Sequence, residues 1–73
     1  MAAKAKCFII TSNADGGAYG VRIDNDERVF FPFSVAEALE LEEFDEVEAI
    51  LIQNDRADPP WKALRARRLQ QGG

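Results

Sequence analysis

Residues 28–33 read RVFFPF, and three phenylalanines within four positions limit what this chain can become. In an extended strand, neighbouring side chains point to opposite faces, so Phe30 and Phe31 cannot enter the same core. Alternation assigns Val29, Phe31 and Phe33 to the packed face and Arg28, Phe30 and Pro32 to the other. Pro32 has no N–H to give to a ladder, which puts its side of the strand at an edge or a bulge.

The other segments are short and separated by turn chemistry. AKCFIITS (5–12) is rich in β-formers and gives a first strand, followed by the turn cluster NADGG. AYGVRI (18–23) alternates as a second strand, with Tyr19, Val21 and Ile23 expected inside and Gly20 and Arg22 outside. DND (24–26) reads as a tight hairpin turn, because Asp and Asn tolerate left-handed backbone. SVAEALELEEF (34–44) switches to helix formers. Ser34 and Glu37 have the spacing of a capping box, which predicts one to three helical turns.

EVEAILI (46–52) is a fourth strand and QNDRADPP a loop. WKALRARRL (61–69) has a helix-favouring composition, yet the order of elements asks for a fifth strand there. Three strands, a helical connection and two strands predict an all-β chain. The architecture expected is a small five-stranded Greek-key barrel of the OB type, with a short helix between strands 3 and 4. An SH3-like barrel is the main alternative. Residues 1–70 are read as one domain and 71–73 as a flexible tail.

Composition narrows the function classes. A chain of 73 residues buries roughly 60% of its unfolded surface, enough for one small core. At 47% hydrophobic it is too apolar for a disordered segment. Its longest apolar runs, CFII and AILI, fall far short of the roughly 18 residues of a membrane span. Residues 1–10 carry no signal-peptide pattern, so no membrane association and a cytoplasmic location are expected. Cys7 is the single cysteine and histidine is absent, which excludes a disulfide framework or a Cys/His zinc site within the chain. No cofactor is expected.

The net charge of −4 hides an asymmetry: residues 34–48 hold seven acids and no base, and residues 62–68 four bases and no acid. Without histidine, a general base would be a carboxylate of raised pKa. ELEEFDEVE offers carboxylates only in number, so no enzyme is expected. DPPW (58–61) matches the form of an amino-methyltransferase motif, but the chain has no room for the cofactor domain. The terminal GG matches ubiquitin-like tails with nothing upstream to support them.

The aromatic strand points further. Aromatic rings on an open sheet face with cations beside them hold unstacked bases. The candidate stacking residue is Phe30, with Arg28 and Arg22 beside it on the expected outer face. Trp61, Lys62 and Arg65 are expected to line a second wall.

VFFPFS (29–34) resembles the Val-Phe-Val-His-Phe-Ser strand of bacterial cold-shock proteins, and AYGV resembles a reduced copy of their preceding aromatic pair. FDEVEAILIQNDRADPPWKALRARRL is similar to their closing strand, loop and strand, and VRIDNDERV to a hairpin of bacterial translation initiation factor 1. The similarity spans residues 17–69. It implies an OB fold that binds single-stranded RNA or DNA by stacking; a monomer or weak dimer is expected. Phe30 carries over, with Tyr19 and Phe33 as partial matches that the resemblance places beside it, and Phe8 nearest to the family's first-strand tryptophan. Pro32 replaces the stacking histidine and Val21 an outward aromatic. The alternative is a protein-interaction module, with the acidic stretch 37–48 docking a basic protein partner.

Overall fold

A computed structural model describes residues 2–13, 16–55 and 58–69. The chain runs β1 (Ala3–Asn13), β2 (Gly17–Arg22), β3 (Arg28–Phe31), α1 (Phe33–Leu39), β4 (Glu46–Gln53) and β5 (Trp61–Arg68). The strands close in the order β1-β2-β3-β5-β4, with β1 paired to β4 and a parallel contact between β3 and β5. This is the expected OB-type barrel with its helix between strands 3 and 4. The expected tail, 71–73, lies outside the described residues.

β1 makes closure possible because it serves two neighbours. Residues 3–8 pair with β4, and residues 7–13 pair with β2. The strand bends at a bulge between Ile9 and Thr11, as bulges do where a barrel must turn. The bend is fastened from the side: Ile9 N–H donates to Asp45 O at 2.8 Å and Phe44 N–H to Ile9 O at 2.7 Å.

The interior is narrow. Ala5, Cys7, Ile9, Ala18, Val29, Phe31, Val47, Ala49, Leu51 and Ala63 fill it, alternating small and large side chains. Gly20 lies where a Cβ would stand 2.4 Å from the carbonyl oxygen of Phe8. That approach reverses the expected faces of β2. Ala18 and Gly20 point inward; Tyr19 is 39% exposed and Ile23, beyond the strand end, 50% exposed. Apolar bulk points Tyr19, Val21 and Ile23 to the core, but at β2 a barrel this narrow accepts only the small set, Ala18 and Gly20.

β3 ends at Phe31, and the expected continuation to Phe33 does not form. Pro32 instead becomes the N-cap, its carbonyl accepting from Val35 N–H and Ala36 N–H, both at 2.9 Å. The Ser34–Glu37 capping box is therefore not made, since Ser34 already lies inside the helix. Phe33 opens α1 at 45% exposure and does not join Val29 and Phe31 in the core. Leu41 N–H returns to Ala36 O and Glu40 N–H to Glu37 O, a Schellman ending with Glu40 at φ 51. Buried Ala36 and Leu41 then join the core cluster.

The hairpin turn after β2 behaves as its sequence predicts. Asp26 adopts φ 61 and donates its N–H to Arg22 O at 2.9 Å. β5 is a strand, not a helix, although Ala, Leu and Arg prefer the latter. Pairing along the length of β4 overrides that preference.

Candidate nucleic-acid interface

On β3, Phe30 faces out and is half-buried. Its direct partner on β2 is Tyr19, and the two rings lie 5.3 Å apart at 45°. Its partner on β5 is Lys62. Because directly paired residues share a face, Tyr19, Phe30, Lys62 and Ile52 form one row across four strands. The next row holds Phe8, Val21 and Arg28. Reversing β2 thus brings Tyr19 onto the outer face beside Phe30 and removes Arg22 from it.

Arg28 forms an ion pair with Asp58 at 2.7 Å, with both side chains more than 60% exposed. A pair so solvated is worth at most about 1 kcal/mol, so a phosphate can displace the carboxylate at small cost. Lys62 makes no ion pair among the described residues. Phe8 lies at the edge of the face, and its ring meets Phe44 at 6.0 Å rather than Phe30.

Three expected members lie off this row. Trp61 packs against the core where β3 and β5 begin, and its Nε1–H donates to Glu27 Oε1 at 2.8 Å. The Arg22 guanidinium lies 5.0 Å from the centre of the Trp61 ring. Asp24 grips that guanidinium through two hydrogen bonds of 3.0 and 2.8 Å. The Asp24 carboxyl is held below its usual range by the hydrogen bond from Arg22. Arg22 and Trp61 are thus occupied with each other at a barrel end and do not line the row of Phe30. Arg65 is paired with Ile50, past a bulge in β5 and one row along the outer face from the Ile52–Lys62 pair.

Arg68 is also committed. It bonds Asp45 Oδ2 and Glu40 O at 2.8 Å, and it donates to Leu39 O as well, tying the end of β5 to the acidic segment. Within that segment Phe44 stands 69% exposed at φ 73. Its exposure had no signal in the sequence, where it reads as the last apolar residue of a helix.

Cys7 is fully buried inside the barrel, and burial pushes its thiol up to about 11. It has no access to a substrate.

No protein-family model and no curated protein sequence matches this chain.

Proposed function

We propose that this barrel binds single-stranded nucleic acid by stacking bases on the outer face of β2 and β3. The observation that carries the reading is the Tyr19–Phe30 ring pair, lying on an accessible face with Lys62 directly beside Phe30. Tilted rings that contact each other leave π-surface for a base, and each stacked base is worth roughly 1–3 kcal/mol. Lys62 supplies a point charge for the adjoining phosphate, and Arg28 a planar donor set once Asp58 is displaced. The resemblance of residues 29–34 to the cold-shock strand agrees with this placement of Phe30.

The test is a backbone-amide NMR titration with short mixed-sequence RNA and DNA at low salt. Shifts centred on Tyr19, Phe30, Lys62 and Arg28 support the reading, and the stronger of the two strands names the ligand. An unshifted spectrum at millimolar strand refutes it.

A second reading is favoured by Phe44. An aromatic ring 69% exposed between Glu43 and Asp45 is suited to a basic protein partner with an apolar pocket. Glu42→Lys with Glu43→Lys would abolish that contact and leave base stacking intact, and Phe30→Ala would do the reverse.

A further inference from the structure

The wall of the barrel away from Tyr19 has a different character. On β1, β4 and β5, Lys4, Ile50 and Arg65 form one cross-strand row, and Lys6, Glu48 and Arg67 form the next on the same face. Four cations thus surround one carboxylate on a chain whose net charge is −4. Arg67 bonds Glu48 at 2.7 Å. Lys4, Lys6 and Arg65 have no ion-pair partner among the described residues, and all three are exposed. Lys4, Ile50, Arg65 and Arg67 line a cleft of about 430 Å³ together with Glu48 and Ala66.

We propose that this cleft is a second, charge-only docking surface that seats the phosphodiester backbone of a single strand. Three arguments select that occupant. The rows carry no aromatic ring, so bases have nothing to stack on, and recognition falls to charge. The cations stand on both sides of Ile50, with neighbouring strands roughly 4.8 Å apart. A backbone crossing the sheet therefore meets Lys4 on one side and Arg65 on the other. The acids that dominate the whole chain are concentrated in 34–48, and only Glu48 of that stretch enters these rows. Glu48 itself is held ionised by Arg67, with Lys4 and Lys6 adding to the effect.

The proposal does not rest on base stacking, and its probe has no bases. A base-free oligodeoxynucleotide, eight abasic phosphodiester units long, is titrated into the 73-residue chain. Amide shifts are expected at Lys4, Ile50, Arg65 and Arg67, with Tyr19 and Phe30 unmoved. Neutralising about three phosphates predicts roughly a 20-fold loss of affinity between 50 and 200 mM salt. Lys4→Glu with Arg65→Glu should weaken the base-free strand at least tenfold, and Phe30→Ala should leave it unchanged. Circular dichroism and thermal melts keep the charge-reversed chain interpretable, since both changed residues are exposed.

Absence of shifts on this wall, or an affinity indifferent to the double charge reversal, overturns the proposal. A poly-glutamate peptide of equal charge that shifts the same amides as strongly assigns the wall to an acidic protein and also overturns it. If the base-free strand binds here while mixed-sequence strands leave Tyr19 and Phe30 unshifted, the stacking proposal falls and this one stands.

Discussion

Gly20 lies so near Phe8 that a Cβ would come within 2.4 Å of the Phe8 carbonyl oxygen. The obstacle is backbone, so no rotamer change relieves it. Gly20→Ala should lower stability by about 2–3 kcal/mol, the upper part of the overpacking range. Chemical denaturation checks this, with Val21→Ala on the outer face as a comparison expected to cost less. Equal losses at the two positions would contradict the assignment of faces in β2.

Tyr19 and Phe30 touch across the β2–β3 pair, and their contact has a stability signature separate from binding. A double-mutant cycle through Tyr19→Leu and Phe30→Leu should give a coupling of about 0.5–1.5 kcal/mol. In binding, Tyr19→Ala and Phe30→Ala should each weaken a mixed-sequence strand by about 5- to 150-fold. Fluorescence anisotropy of a labelled strand measures that loss.

The Arg22 guanidinium lies 5.0 Å from the Trp61 ring centre while Asp24 pairs with it at 2.8 Å. Arg22→Ala should change Trp61 emission and remove about 0.5–1 kcal/mol of stability. Addition of strand should quench Tyr19 and leave Trp61 emission nearly unchanged. Strong Trp61 quenching by strand would instead return that ring to the ligand face.

Cys7 is buried, and its thiol is raised from 9.0 to about 11. A folded-state pKa above the unfolded one favours the protonated form, so the unfolded chain releases its proton first as pH rises. The contribution of this group to stability is complete below about 9 and falls through the window up to about 11. Cys7→Ser should remove that part of the alkaline loss in denaturation curves recorded across the window. At pH 8 a thiol reagent should label the folded chain far more slowly than the unfolded one.

The elements were legible because their signals are local. Alternation in β4, the Asp26 turn and the prolines before Trp61 each depend on a few adjacent residues. What the sequence could not disclose depends on distance through space. Which face of AYGVRI is inside is decided by how close β1 comes, and apolar bulk pointed the wrong way. Ser34 matched a capping box, but Pro32 had already ended the strand and taken the cap. Phe30 was recognisable as outward because alternation within β3 needs no partner. Alternation with apolar bulk points its ring partner Tyr19 to the opposite face, and the flanking of Ile50 by Lys4 and Arg65 has no sequence signal at all.

The barrel consists of a three-strand meander and a two-strand hairpin, and the contact of β3 with β5 is its clasp. That clasp is two residue pairs long, Val29 with Trp61 and Phe30 with Lys62. Opening there breaks few bonds, so amides at the clasp should exchange with solvent sooner than those along the β1–β4 ladder. A strand that stacks on Phe30 while its phosphate meets Lys62 would bridge the clasp from outside. Binding would then fasten the barrel as well as occupy it, and slowed hydrogen exchange at these four residues would report the ligand without any label.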